Sequence, residues 1–187
     1  DGAASLMSFF YGMMETGFHQ QERGVNLLDT GAHFYDVYEC SDGEWISLGS
    51  IEPQFYKEML EKLELDAEEF GFQHDREKWP ELKQKMAKLI ATKTRSEWDQ
   101  LLAGSDVCYA PVLSAYEAIE HPHNVERKTF VEVAGVTQPA PAPRFSRTPG
   151  KIERPPAHPG QHSKEVLMQF GFKEEEITEL LSTGAVS

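Results

Sequence analysis

Only two cysteines occur in the 187 residues, which excludes a disulfide-stapled scaffold. Cys40 and Cys108 lie far apart, each beside aromatic residues in a segment that reads as a strand. Both are expected to be reduced, buried, small hydrophobes. Runs of Lys and Arg are also missing: 31 acidic residues against 18 basic ones give a formal charge of −13, a surface that repels nucleic acid. The longest apolar stretch, at the start of the chain, is too short for a bilayer and is interrupted by Gly12 and Glu15. It lacks the basic opening of a signal peptide, and the closing Ala185-Val186-Ser187 matches no retrieval address. The expectation is a cytoplasmic setting without nucleic acid or membrane as partner. No glycine-rich phosphate loop is present. His121 and His123 sit two apart on a loop without a third ligand, so no metal is expected. The chain does not begin with Met, and it reads as a piece cut from within a larger protein.

What is present is a hydrophobic fraction of 40%, enough for the core of one domain or one and a half. Two β-rich runs, 34–40 and 44–48, flank Ser41-Asp42-Gly43, and Asp42-Gly43 offers the positive-φ residues of a hairpin turn. The second run alternates loosely, which predicts a strand covered on both faces. Pro53 then suits the first turn of a helix, with Phe55, Tyr56, Met59, Leu60 and Leu63 at helical spacing. Glu52 therefore falls at the helix cap, where a carboxylate feels the positive end of the macrodipole. It either merely complements that dipole or serves a site bordered by the strand end and the helix start.

Upstream, residues 3–18 read as one helix with Met7, Phe10, Tyr11 and Met14 clustered, a stripe that suits either a core or a surface accepting varied apolar partners. Downstream, an acidic helical patch at 66–70 precedes an amphipathic helix at 76–92. Trp79, Leu82, Met86, Leu89 and Ile90 form its inner face, and Lys78, Lys83, Lys85 and Lys88 its solvated one. Ser96 is expected to cap a further helix that turns Trp98, Leu101 and Leu102 inward and ends near Gly104. Residues 106–114 read as a buried strand, 115–120 as a helix, and 121–130 as a turn with a short helix. The Pro-, Ala- and Arg-rich stretch 138–159 reads as a linker, or as a segment laid across a surface. Two short helices at 161–170 and 173–182 close the chain.

The order and spacing of several motifs resemble the family III CoA transferases, the CaiB/BaiF-type superfamily that includes the α-methylacyl-CoA racemases. They are Asn26-Leu27-Leu28-Asp29-Thr30-Gly31-Ala32-His33-Phe34-Tyr35, Ser41-Asp42-Gly43-Glu44-Trp45, Gly49-Ser50-Ile51-Glu52-Pro53-Gln54-Phe55-Tyr56, His121-Pro122-His123, Pro141-Ala142-Pro143-Arg144-Phe145-Ser146 and Pro159-Gly160-Gln161-His162-Ser163. Glu52-Pro53-Gln54 resembles the racemase branch rather than the formyl- or succinyl-type transferases. His33 stands where relatives commonly carry Pro, which is expected to loosen that loop.

The resemblance implies an incomplete α/β fold: a mixed α+β small domain followed by a return segment of a family III CoA transferase. It divides the chain into a connecting helix at 1–24, the small domain at 25–120, and at 121–187 a return linker and C-terminal helices belonging to a large domain. The parent it implies is an interlocked homodimer whose other half carries a CoA-binding domain and a His/Asp acid–base pair. In that chemistry a proton leaves the carbon α to a thioester and returns on the opposite face through an enolate. Glu52 would be the catalytic residue of this half, orienting and charge-stabilising the His, while Leu28, Tyr35 and Ile51 would line the apolar acyl groove. The acyl-CoA is substrate and partner, and no separate cofactor is implied. Asp36 and Asp42 are left as strand-edge and turn residues. Two alternatives stay open: a transferase moving CoA between an acyl-CoA and a carboxylic acid, and a non-catalytic dimerisation module.

Overall fold

The computed structural model describes residues 1–187, and the chain divides into two compact units, Asp1–Ser114 and Ala115–Ser187. The first unit opens with two short helices, α1 (Gly2–Leu6) and α2 (Ser8–Glu15), rather than the single expected one. Their apolar side chains face outward: Leu6 is 82% exposed, Phe9 63% and Tyr11 60%. The Met-rich stripe is therefore no part of this unit's core.

Strands β1 (Tyr35–Glu39) and β2 (Trp45–Gly49) form the expected antiparallel hairpin, pairing Tyr35 with Gly49 and Glu39 with Trp45. Its turn uses positive φ at Gly43 but not at Asp42. Gly43 N–H donates to the Cys40 carbonyl at 3.1 Å and Cys40 N–H to the Glu44 carbonyl at 2.7 Å, so three residues close the loop and only the last needs the left-handed region. Next come α3 (Pro53–Lys62), α4 (Ala67–Phe70), α5 (Trp79–Ile90), α6 (Arg95–Leu102) and β3 (Tyr109–Val112). β3 pairs antiparallel with the far side of β2, giving the order β1-β2-β3. Pro111 is tolerated because β3 is an edge strand.

Ile46 and Leu48 of β2 are buried while Trp45 is exposed and Ser47 and Gly49 are half-buried. The strand is thus covered on one face, not both. That face packs with Tyr56, Met59 and Leu60 of α3, Trp79, Leu82, Met86 and Ile90 of α5, and Trp98 and Leu102 of α6. Each of the larger aliphatic side chains here contributes about 2 kcal/mol through removal of apolar surface from water.

The helix signals hold in outline and shift in detail. Pro53 occupies the first turn of α3, Asp66 caps α4 through the Glu68 and Glu69 amides, and α5 buries its expected face. The cap of α6 is Thr94, not Ser96: Thr94 Oγ1 accepts from Glu97 N–H at 3.2 Å and the Glu97 carboxylate accepts from Thr94 N–H at 2.8 Å. Leu101 is exposed rather than inward. Lys83 does not simply face water either, since its ammonium sits 2.5 Å from the Asp36 carboxylate and also donates to the Thr30 carbonyl, tying α5 to β1 and to the turn before it.

The second unit holds α7 (Ala115–Glu120), α8 (Pro122–Glu126), β4 (Phe130–Val133), β5 (Val136–Pro139), α9 (Ser163–Gln169) and α10 (Glu174–Ser182). The β4–β5 hairpin has no counterpart in the sequence reading. Ala134 and Gly135 turn it in two residues, both at positive φ, 52° and 77°. Ala-Gly is a weak turn signal and Pro139 argues against a strand, yet the ribbon has only two strands, so Pro139 lies on an edge. No helix of the chain is long and apolar enough to cross a membrane.

Candidate functional site

The exposed side of the three-stranded sheet carries a groove of about 330 Å³, at the lower end of the size that holds a small ligand. Period-two alternation builds it. Tyr35 and Val37 of β1 meet Ser47 and Gly49 of β2, and Thr30, Asp36, Leu48 and Cys108 complete the lining. The small residues on β2 leave the depth, and a β-carbon placed on Gly49 would make only ordinary contacts, 3.6 Å from the Cys108 carbonyl oxygen and 3.7 Å from the Tyr35 ring. Two of the bordering residues hold left-handed backbone without being glycine: Thr30 at φ 72° and Cys108 at φ 54°. For a β-branched residue such as Thr30 this is strain, of the kind that persists where surrounding structure imposes it.

The surrounding structure at Thr30 is dense. Asn26 is buried, its side-chain oxygen accepting from Gln20 N–H at 2.6 Å and its amide donating to the carbonyls of Gln20 and Glu22 and to the Asp29 carboxylate. Asp29 in turn accepts from Asn26 N–H at 2.7 Å, and although burial opposes it, these hydrogen bonds hold its carboxyl below the usual range. Gly31 follows where any β-carbon would lie 2.5 Å from the Asn26 carbonyl oxygen. The motif from Asn26 to Gly31 is thus a closed loop that fixes where Thr30 and Tyr35 emerge.

His33, expected to loosen this segment, does the opposite. It is fully buried among the rings of Phe34, Tyr56 and Phe70, with Nε2 2.8 Å from the Tyr56 hydroxyl, while Tyr38 donates to the His33 carbonyl at 2.6 Å. The assignment that satisfies most groups has Nε2–H donating to Tyr56, whose own proton reaches the Phe70 carbonyl at 3.4 Å. Nδ1 then keeps an unpartnered lone pair. Burial lowers the His33 pKa to about 4, so the ring is neutral at physiological pH.

Glu52 is the N-cap of α3, with extended backbone at φ −71° and ψ 142°, and its carboxylate caps none of the helix amides. It is exposed. Its charge reaches the Cys108 thiol of the groove lining, whose pKa is raised by burial first and then by Glu52 and Asp106. Cys108 is exposed rather than buried in a strand: it precedes β3, and its left-handed backbone turns it out of the ladder. Cys40 is buried as expected, and burial, aided by Asp42, pushes its thiol up to about 11.

Among the residues expected to touch substrate, Tyr35 lines the groove, and Ile51, next to Glu52, is half-buried against the core. Leu28 does not line it. It borders a separate narrow crevice with Met13, Phe18 and Leu27. Asp42 is a turn residue with an added task, accepting from Arg95 N–H at 3.1 Å at the start of α6. Thr30, Ser47, Gly49 and Cys108 are not site residues in the sequence reading, which takes Cys108 as a buried hydrophobe. The available signal was the small Ser47 and Gly49 alternating with buried Ile46 and Leu48. No three His, Cys, Asp or Glu side chains converge as a metal site.

Residues 1–163 match the family model described as CoA-transferase family III. The chain belongs to that family. Among the curated relatives of this family III chain, the α-methylacyl-CoA racemase of Mus musculus is 44% identical over 185 residues, covering 97% of this chain and 48% of the relative. The α-methylacyl-CoA racemase of Homo sapiens is 41% identical over 186 residues, with the same coverage on both sides. The succinyl-CoA:glutarate CoA-transferase of Homo sapiens is 26% identical over 81% of this chain and 37% of its own. The chain spans about half the length of the two racemases and matches their C-terminal half. The fold is similar to that of the crystal structure of Rv3272 from Mycobacterium tuberculosis in its orthorhombic form, at TM-score 0.60 and 19% identity over 87% of this chain and 42% of that one.

Proposed function

We propose that this family III chain forms the acyl-facing part of an α-methylacyl-CoA racemase, which inverts the α-carbon of 2-methyl-branched acyl-CoA thioesters. The observation that carries the reading is the exposed carboxylate of Glu52 at the head of α3, on the segment that leaves β2 directly after Gly49, a residue of the largely apolar groove. The 44% and 41% identities to proteins named as racemases supply its chemistry. The α-carbon–hydrogen bond breaks, its proton passes to a base outside this chain, and the electron pair moves into the thioester carbonyl as an enolate. A second group then delivers a proton to the opposite face. Glu52 orients and charge-stabilises an imidazole that performs one of these transfers. The groove beside Tyr35 takes apolar acyl surface by area, which tolerates different tails. Leu28, on its separate crevice, and Ile51 would extend the acyl-binding surface outside the groove. The thioester is the substrate and no further cofactor enters. The reading carries with it an interlocked homodimer in which Glu52 faces the acid–base pair of the other subunit, and a cytoplasmic setting.

The test is exchange of the α-hydrogen of a 2-methylacyl-CoA in deuterated water, using protein expressed from the whole reading frame that encodes this chain, with Glu52→Gln alongside. The expected result is exchange in the parent and a loss of at least about a hundredfold in the variant, the scale of removing one stabilising group. Transfer of CoA to an added carboxylic acid, without exchange, would move the chain to the transferase reading that the succinyl-CoA:glutarate relative represents.

A further inference from the structure

After β2 ends at Gly49, two carbonyls, those of Ser50 and Ile51, precede Glu52 and belong to neither the sheet ladder nor the helix. The amide of Gln73, in the loop between α4 and α5, donates to both, at 2.9 Å to Ser50 and 2.8 Å to Ile51. Gln73 is only 6% exposed, and its backbone carbonyl accepts from the indole N–H of buried Trp79 at 2.9 Å, so the main chain that carries the amide is fastened to the core. From the other side, Ser50 is fully buried. Its hydroxyl donates to the Val107 carbonyl at 2.6 Å, one residue before Cys108, and its N–H donates to the Phe34 carbonyl at 3.1 Å. The Glu52 carbonyl then accepts the first intrahelical bond of α3, from Tyr56 N–H at 2.9 Å.

The two residues that lead into Glu52 are thus fastened to Gln73, Val107 and Phe34, and the Glu52 carbonyl to Tyr56, while its carboxylate is left free of the helix amides. A primary amide has two protons and can serve two consecutive carbonyls, which carboxylate, hydroxyl and thioether side chains cannot do.

We infer that the Gln73 amide and the Ser50 hydroxyl are positioning groups for Glu52, holding its backbone so that the carboxylate meets the reacting imidazole in one orientation. This inference rests on the proton-transfer role read for Glu52 above. A displacement of about 1 Å at such a group costs on the order of a hundredfold in rate.

The experiment is a double-mutant cycle on α-hydrogen exchange, in protein from the whole reading frame. It combines Gln73→Met and, separately, Ser50→Ala with Glu52→Gln, following residual exchange over long incubations by mass spectrometry. Gln73→Met keeps the side-chain length and removes both donors. The expected result is a ten- to hundredfold fall in kcat with KM within about twofold, and no further fall when either change is added to Glu52→Gln. If each change lowers exchange by the same factor in both backgrounds, the groups act independently of Glu52, and the inference is overturned while the racemase reading stands. If Glu52→Gln exchanges at the parent's rate, or the parent does not exchange at all, both fail, and that is visible before Gln73 is altered. Should Gln73→Met not fold, Ser50→Ala, which removes a single hydrogen bond, completes the cycle.

Discussion

His33 shows how a single buried side chain ties the stability of this unit to pH. Its Nε2 has one partner, Tyr56, its Nδ1 has none, and burial lowers its pKa from 6.5 to about 4. On acidification the unfolded chain binds the imidazole proton near pH 6.5 and the folded chain only near pH 4, so across that window protons favour unfolding. The stability present above pH 6.5 is drained as the pH falls toward 4, by about 3 kcal/mol, and this contribution is flat below. Urea unfolding of parent and His33→Gln at intervals from pH 7.5 to 4 should show the parent's midpoint falling more steeply, as direction and size both follow from the shift. Parallel curves for the two proteins would mean that the imidazole is solvated in the folded state and takes up its proton as it does in the unfolded chain. The same residue marks a limit of reading by analogy: a departure from Pro was expected to loosen a loop, but the chain filled the space with a ring and a hydrogen bond.

At the scale of elements, periodicity and turn chemistry made the hairpin, α3 and α5 legible, because each depends on residues adjacent in sequence. Glu52 was legible for the same reason: Pro53 fixes the helix start, and the cap must be the residue before it. The groove was not, since it requires knowing that Cys108 returns beside Gly49, and the Gln73 clamp was not, since it joins a loop to a strand end 22 and 23 residues away. The cap of α6 failed for a local reason. Ser96 and Thr94 are both good cap residues, but only Thr94 has a glutamate three residues on to reciprocate. That difference is measurable. Thr94→Ala should destabilise the chain by about 1 kcal/mol, read as a lower urea midpoint at unchanged slope. Ser96→Ala, at an exposed position within the first turn, should stay within about 0.5 kcal/mol. Equal losses at both positions would reassign the cap.

For the whole molecule, two long-range forces oppose one another. A formal charge of −13 keeps copies apart, whereas Leu6, Phe9, Tyr11 and Phe18 present apolar surface at the start of the chain, and Phe170 and Val166 do so near its end. Electrostatic repulsion is screened by salt, and apolar attraction is not. Raising ionic strength from about 10 mM to about 150 mM shortens the Debye length from roughly 30 Å to about 8 Å, so the balance tips toward contact. The average mass of this chain by sedimentation should therefore rise with salt at fixed protein concentration, together with binding of an apolar dye. Phe9→Ser with Tyr11→Ser should suppress both. Because these side chains are 63% and 60% exposed in the folded chain, their replacement should leave the thermal midpoint within about two degrees, the shift of roughly 0.5 kcal/mol expected for surface changes. A mass that stays monomeric at every salt concentration would show that this surface is too dispersed to act as an adhesive patch. A mass that falls with salt would show instead that charge pairing between copies, through exposed pairs such as Lys57–Glu61 and Lys151–Glu153 exchanging partners, drives association.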